Sequence, residues 1–67
     1  MKTFCERFKE LRKEAKMSTI QLAKLLNVSN STITRWENGN IVPSIDHLYN
    51  ISVLFKVSSD YLIGLEN

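Results

Sequence analysis

The sequence contains few of the residues that cross-link, interrupt or anchor a chain. Its 67 residues include one cysteine, one proline, two glycines and one histidine. A single cysteine cannot form an internal disulfide, which excludes a disulfide-stapled secreted scaffold. No apolar run approaches membrane-spanning length, and the charged start M-K-T-F-C-E-R-F lacks the apolar core of a signal peptide. We therefore expect one small cytoplasmic domain over residues 1–67.

The residue sets that catalysis and metal binding require are also missing. Cys5 has no second cysteine, and His47 has no ligand partner at a usable spacing, so His47 is expected at the surface or in a capping turn. We find no paired carboxylates, no nucleophile–base set and no phosphate-binding glycine loop. We expect neither enzyme activity nor a metal or cofactor.

Helix start and stop signals fill most of the chain. Five residues that can serve as helix N-caps precede helical stretches: Thr3, Ser18, Ser29, Ser44 and Ser58. Thr3 and Ser18 also match the capping-box pattern, with Glu6 and Gln21 three residues later, and Gly39 can end the third helix. No segment of strand length alternates with period two. The fold is predicted to be all-α, with five short helices around one core.

Apolar residues at helical spacing predict the buried faces of these helices. In the second helix, Leu22, Leu25 and Leu26 are placed on one face. In the fourth helix, the predicted inner side comprises Ile45, Leu48, Ile51, Ser52 and Phe55.

The third helix has an unusually polar face. When the helix is projected at 100° per residue, five side chains fall within roughly 140° of arc: Asn30, Ser31, Thr34, Arg35 and Asn38. Ile33 and Trp36 lie opposite. Asn can pair bidentately with adenine and Arg with guanine, so the face suits contact with base edges. A solvated helix surface would have a similar composition, so this pattern alone leaves both interpretations open.

The connection before the third helix favours DNA binding. Only Asn27 and Val28 separate the second helix from the cap Ser29, and Asn27 stands where a left-handed residue would reverse the chain. Ala23 is small where two steeply crossing helices would approach most closely. These features indicate a helix-turn-helix, which presents its second helix to the DNA major groove.

The charge distribution adds a weaker indication. Residues 1–43 carry eight Lys or Arg and four Glu, a net charge of +4, whereas residues 44–67 carry one Lys and three acidic residues, a net charge of −2. The basic part suits an anionic partner, although a solvated helix surface gives similar counts.

With these residues in place, the sequence resembles the lambda-repressor/Cro-like helix-turn-helix proteins, the XRE family. The likeness extends from F-K-E-L-R at residues 8–12 to V-S-S-D-Y-L-I-G at residues 57–64. It is strongest over residues 17–44, M-S-T-I-Q-L-A-K-L-L-N-V-S-N-S-T-I-T-R-W-E-N-G-N-I-V-P-S. The resemblance implies that Asn30, Ser31, Thr34 and Arg35 read bases. It implies phosphate contacts at Thr19, Thr32, Asn38, Gly39 and Asn40.

The resemblance also implies an ion pair between Arg12 and Glu37, which would tie the first helix to the third. A carboxylate in the last turn of a helix opposes the macrodipole and needs a compensating cation. The sequence departs from the family pattern at several positions. Thr19 replaces a usual Gln, Asn27 and Lys56 replace frequent glycines, and Asn40-Ile41-Val42 replaces a basic loop. We expect a left-handed Lys56 and a shallow salt dependence of DNA binding.

The function implied is a sequence-specific regulator that binds double-stranded DNA, most simply a repressor of bacterial or phage type that blocks polymerase. Readers of half-sites commonly bind pseudo-palindromic DNA as homodimers, and the predicted dimer contact comprises Leu54, Tyr61, Ile63 and Leu65. The alternative is a protein-binding module, such as an antitoxin that uses DNA only for autoregulation. Ile20, Ile41 and Val42, which are expected to be exposed, would suit that alternative.

Overall fold

The computed structural model describes residues 2–67, and every regular element in that range is an α-helix. The five helices are α1 (Lys2–Glu14), α2 (Thr19–Leu26), α3 (Asn30–Asn38), α4 (Ile45–Phe55) and α5 (Ser59–Ile63). The predicted all-α fold of five short helices is confirmed. Within the described range, no helix is long and apolar enough to cross a membrane.

A serine N-cap precedes each helix from α2 to α5. In each case the serine hydroxyl accepts a hydrogen bond from the backbone amide three residues later; the pairs are Ser18 with Gln21, Ser29 with Thr32, Ser44 with His47, and Ser58 with Tyr61. The Gln21 side chain also accepts from the Ser18 amide, so the predicted capping box is present. These caps satisfy amides that would otherwise lack partners in the first turn.

Left-handed residues end the same four helices. Two of them are Gly39 and Gly64, and the other two are Asn27 with φ 58° and Lys56 with φ 56°. The left-handed conformations predicted for Asn27 and Lys56 are therefore confirmed. Lys16, just after α1, is also left-handed at φ 58°, which the sequence did not indicate.

The prediction that Thr3 caps α1 is wrong, because the helix already includes Lys2. Thr3 instead packs on the end of α5. A Cβ atom placed on Gly64 would lie 3.0 Å from the Thr3 Cγ2 atom, so this end of α5 leaves no space for a larger residue.

The core receives one fully buried side chain from each helix: Phe8, Leu22, Ile33, Ile51 and Leu62, all at 0% exposure. The Phe8 ring lies at the centre, with its centroid 5.8 Å from that of Trp36 and 6.5 Å from that of Phe55. Both contacts are edge-to-face, an arrangement that aromatic rings favour. Burial of each large apolar side chain contributes about 1.5–3 kcal/mol to the stability of the fold and holds its helix against the core.

Two residues assigned to the buried side lie outside it. Leu25 is 57% exposed, because the buried arc of α2 runs through Leu22, Ala23 and Leu26 and leaves Leu25 beyond its edge. Ile45 is 85% exposed, because it lies in the first turn of α4 at the edge of the arc centred on Ile51.

Candidate nucleic-acid interface

The turn between α2 and α3 is set by backbone hydrogen bonds. The amide of Val28 donates to the carbonyl of Ala23 at 3.0 Å, and Asn27 takes the left-handed conformation that reverses the chain. Ser29 then caps α3 directly. Ala23 is 4% exposed, as expected for a small residue beneath a closely crossing helix. The predicted helix-turn-helix is present, and α3 is held firmly by its neighbours.

The polar face of α3 points away from the core. Ile33 and Trp36 are buried, at 0% and 2% exposure, and fix the opposite side of the helix. The four predicted base readers lie together on the exposed side of α3: Asn30, Ser31, Thr34 and Arg35. Asn38 is exposed on the same side, near the end of the helix. The polar side chains therefore form one continuous surface on a buried support.

The side chains on this surface differ in how free they are to bind. The Thr34 hydroxyl donates to the Asn30 carbonyl at 3.3 Å, and the Ser31 hydroxyl lies 3.0 Å from that of Ser29. The Arg35 guanidinium makes no hydrogen bond and no ion pair with any side chain or carbonyl of residues 2–67. Its five donors are available to a ligand, which makes Arg35 the strongest candidate for a bidentate contact.

The predicted phosphate contacts lie at the two ends of the motif. Thr19 is half-buried at the first position of α2, next to the cap Ser18, where helix amides favour anions. Thr32 is half-buried, and its hydroxyl lies 2.8 Å from that of Ser29, so it takes part in the cap.

The loop after α3 is exposed at Asn38, Gly39 and Asn40. The Gly39 amide donates to the Trp36 carbonyl and the Asn40 amide to the Arg35 carbonyl, at 3.3 and 3.0 Å. Both amides are already used in ending the helix. The loop therefore offers the side chains of Asn38 and Asn40, rather than these two amides, to a phosphate.

Arg12 and Glu37 form the predicted ion pair. Arg12 Nε donates to Glu37 Oε2 at 2.6 Å and Nη2 donates to Oε1 at 3.2 Å. The two side chains are 14% and 6% exposed, and the hydrogen bonds that Arg12 donates to the Glu37 carboxylate raise the pKa of Arg12. Arg12 also donates to the carbonyl of Met17 at 2.8 Å. The guanidinium of Arg12 thus links three parts of the chain: α1, the segment that precedes α2, and α3.

His47 and Trp36 lie as the sequence predicts. His47 is in the capping turn of α4, with Nδ1 3.1 Å from the Ser44 hydroxyl. Its ring lies 5.3 Å from that of Trp36, which is part of the core. Within residues 2–67 no group of three His, Cys, Asp or Glu side chains could hold a metal ion.

The four residues of the predicted dimer contact differ in their surroundings. Leu54 lines a groove between α2 and α4, whereas Ile63 lines a separate cavity of ≈ 130 Å³. The Tyr61 ring is covered by the Arg7 guanidinium, 4.4 Å from the ring centroid. Leu65 stands apart and is 73% exposed.

Comparisons with known proteins agree with this geometry. Residues 8–62 match the protein family described as Helix-turn-helix. The chain is 34% identical over 62 residues to an uncharacterized HTH-type transcriptional regulator, YobD of Bacillus subtilis, covering 92% of this chain and 55% of that protein. It is 36% identical over 63 residues to the HTH-type transcriptional activator BcrR of Enterococcus faecalis, covering 94% of this chain and 31% of that protein.

A solved structure shows the same fold. The P22 c2 repressor, solved in complex with the synthetic operator 9T in the presence of Tl⁺, superimposes with a TM-score of 0.85 at 32% sequence identity. The match covers 92% of this chain and 94% of the repressor chain. By contrast, the chain spans only about half the length, or less, of the curated relatives named above.

Proposed function

Because the chain belongs to the helix-turn-helix family, which it matches over residues 8–62, we propose that it is a sequence-specific regulator of transcription that binds double-stranded DNA. The observation that supports this function most directly is the exposed polar face of α3, whose opposite side is anchored by buried Ile33 and Trp36. A rigid helix with small polar side chains fits the width of the major groove. The role is regulatory and not enzymatic.

In this proposal α3 enters the major groove, and each of its exposed side chains contacts a different group on the DNA. Arg35, which has no hydrogen-bond or ion-pair partner among residues 2–67, forms a bidentate contact to guanine, and Asn30 pairs with adenine in the same way. Ser31 and Thr34 are short enough to let the helix approach and can exchange hydrogen bonds with base edges.

Phosphate contacts on either side of α3 fix its position along the groove. Thr19 at the start of α2 and Thr32 near the start of α3 are the candidates on one side, with the side chains of Asn38 and Asn40 on the other. Phosphate contacts orient the protein without selecting sequence. The loop carries no cation, so we expect the affinity to fall less steeply with salt than in relatives with a basic loop.

We further propose that the protein binds a pseudo-palindromic operator as a homodimer and represses by occupying it. Two copies related by a two-fold axis would read half-sites about one helical turn apart. A reporter gene placed behind the operator decides the sign of regulation. Lower expression with the protein present supports repression, and higher expression supports activation, the activity named for BcrR.

The test of DNA recognition is selection from a random duplex library at near-physiological salt, with wild-type protein, Arg35→Ala and Lys9→Ala in parallel. Lys9 is an exposed cation on α1 and serves as the charge-matched control. We expect a two-fold-related motif from the wild type. Arg35→Ala should bind the cognate site about 1–3 kcal/mol more weakly and relax base choice at one position.

Three outcomes of this selection would count against the proposal. Failure of the wild type to enrich any sequence would refute specific DNA binding. Equal losses of Arg35→Ala on cognate and random DNA would make Arg35 a phosphate contact. A loss for Lys9→Ala as large as that for Arg35→Ala would point to general charge attraction rather than base reading.

A protein-binding role, such as that of an antitoxin, remains the second candidate because apolar side chains outside the core are exposed. Ile20, Ile41 and Val42 are 56%, 42% and 57% exposed, as the sequence predicts. Co-purification with a small protein encoded next to this one, together with a failure to enrich any DNA, would favour this second function.

A further inference from the structure

The outward side of α4 carries a row of exposed apolar side chains. Ile45, Tyr49 and Val53 recur every four residues and are 85%, 66% and 58% exposed. Residues four apart lie one above the other on the same side of a helix. Leu25, from the C-terminal part of α2, is 57% exposed and borders the same groove as Tyr49 and Val53. We refer to these four residues as the α4 face.

The α4 face is continuous with a groove of ≈ 400 Å³ between α2 and α4. Leu26 and Leu54 line its floor, and Asn27 and Asn50 are its polar members. Soluble monomers seldom expose several large apolar side chains next to one another, and such surfaces mark contacts with other molecules. The sequence prediction missed this face because it placed Ile45 and Leu25 in the core.

Two exposed charges of opposite sign stand at the two ends of this row. Asp46 lies in the first turn of α4 and Lys56 is its left-handed C-cap. At 100° per residue, Asp46 projects beside Val53, and Lys56 directly follows the last residue of α4, so the two charges lie at opposite ends of the row. The 11 residues of α4 span about 16 Å.

This arrangement is complementary to itself in one orientation. When a second α4 packs antiparallel across a two-fold axis, each Asp46 faces the Lys56 of the other copy, and Tyr49 and Val53 meet near the axis. A parallel pairing would instead bring like charges together. The charge pattern therefore selects a second copy of this chain, in the antiparallel orientation, as the molecule that fits the α4 face.

We propose that the α4 face is the homodimer contact of this protein, with α4 packed antiparallel on α4 of the second copy. This inference rests on the proposed function in that a dimer is needed to read a two-fold operator. None of the four residues belongs to α3, so the contact leaves the polar surface of α3 free for DNA.

The size of the face sets the expected strength. The smallest stable interfaces bury about 600 Å² per partner, which is a substantial share of the 4433 Å² surface of this chain. Four side chains supply only the centre of such an interface. We therefore expect a dimer with a dissociation constant in the micromolar range or weaker, which forms more completely when both copies are held on one operator.

The first test compares Val53→Glu with Leu65→Glu by sedimentation velocity, from about 10 µM to about 500 µM protein. Both residues are exposed and apolar, but Leu65 lies outside the α4 face. Val53→Glu should raise the dimer dissociation constant at least about tenfold, because it places a charge in the apolar centre. Leu65→Glu should stay within about twofold of the wild type. Unchanged dimerisation in Val53→Glu would overturn the proposal, as would loss of the dimer in Leu65→Glu alone.

The second test uses charge reversal to establish the orientation. Asp46→Lys and Lys56→Asp should each weaken the dimer, because each places like charges opposite one another. The double variant Asp46→Lys/Lys56→Asp should regain wild-type dimerisation within about twofold, since both pairs are restored with reversed polarity. Fluorescence of the buried Trp36 confirms that each variant is folded. A double variant weaker than either single variant would exclude the antiparallel contact.

Binding to half-site and full-site duplexes separates this inference from the proposed function. Val53→Glu should bind a half-site as tightly as the wild type but lose cooperative binding to the full site. If the wild type binds neither duplex yet dimerises as described, the DNA-binding function fails and the α4 contact stands. If the wild type stays monomeric in solution and fills the full site without cooperativity, the α4 contact is refuted and the face is open to a different protein.

Discussion

The ion pair between Arg12 and Glu37 is the contact whose removal tests most directly how α3 is held. Replacing Glu37 with Ala removes both hydrogen bonds that the carboxylate accepts from Arg12, at 2.6 and 3.2 Å. Of the partners that residues 2–67 offer the Arg12 guanidinium, the Met17 carbonyl then remains. Because the Arg12 side chain is 14% exposed, an unpaired guanidinium there is mostly shielded from water. The folded state should therefore lose stability relative to the unfolded chain.

The size of the loss follows from the broken contacts, the exposure of Arg12 and the helix dipole. Hydrogen bonds to charged groups contribute about 1.5–3 kcal/mol, and breaking a fully buried ion pair costs about 3–5 kcal/mol. The remaining exposure of Arg12 lets water recover part of that cost. Removing Glu37 also relieves an unfavourable interaction with the C-terminal end of the α3 dipole, worth about 0.3–1 kcal/mol. We expect a net decrease of about 2 kcal/mol in the free energy of unfolding, or about 8–16 °C in Tm for a domain of this size.

Urea unfolding followed by tryptophan fluorescence measures this loss. Trp36 is the single tryptophan and is 2% exposed, so its emission reports exposure of the core. Glu37→Ala, Arg12→Ala and the double variant form a cycle, in which we expect a coupling energy of about 1–2 kcal/mol. Glu10→Ala, an exposed carboxylate on α1, is the control and should change stability by less than about 0.5 kcal/mol. Added salt should leave most of the effect, because partly buried pairs are weakly screened.

A coupling energy near zero would refute this reasoning, even if Glu37→Ala were destabilising. Such a result would mean that Glu37 acts by filling space rather than through Arg12. A loss for Glu37→Ala no larger than that for Glu10→Ala would mean that water solvates the unpaired guanidinium fully, contrary to its low exposure.

Three further predictions concern the backbone and the loop after α3. Lys16→Gly should raise the free energy of unfolding by about 0.5–1 kcal/mol in urea titrations, because it relieves a left-handed conformation without removing a buried contact. Gly39→Ala should lower the free energy of unfolding by about 1–2 kcal/mol, because alanine is strained at φ 79°. The added Cβ would lie 3.7 Å from the Cys5 sulfur without a clash, so backbone strain alone is tested, and a neutral result would show that the loop relaxes. Asn40→Lys should steepen the plot of log binding constant against log salt by about 0.9, as expected for one added phosphate contact, and an unchanged slope would place Asn40 away from the DNA.

The parts of the fold that the sequence predicted correctly depend on neighbours along the chain. The serine caps of α2 to α5 and the left-handed Asn27 and Lys56 each involve residues within a few positions of one another. Local backbone preferences determine these features, so short patterns indicate them. The polar face of α3 was predictable for the same reason. The Arg12–Glu37 pair joins residues 25 positions apart and was reached only through resemblance to a family.

The parts that were missed depend on how the helices meet in space. Leu25 and Ile45 have the chemistry of core residues, but the positions of their helices leave both side chains beyond the edge of the core. Arg7 is another case: it donates to the backbone carbonyls of Tyr61 and Glu66, more than 50 positions away, and covers the Tyr61 ring. No spacing in the sequence indicates such a contact.

The serine caps and left-handed stops also bear on how quickly this protein becomes active. Each helix from α2 to α5 has its start and its end specified within its own segment. Small helical domains dominated by such local contacts fold on a timescale of about microseconds to milliseconds. Newly made chains should therefore reach the native form long before the next ribosome completes its product. The active concentration of such a regulator would follow its rate of synthesis with no lag from folding.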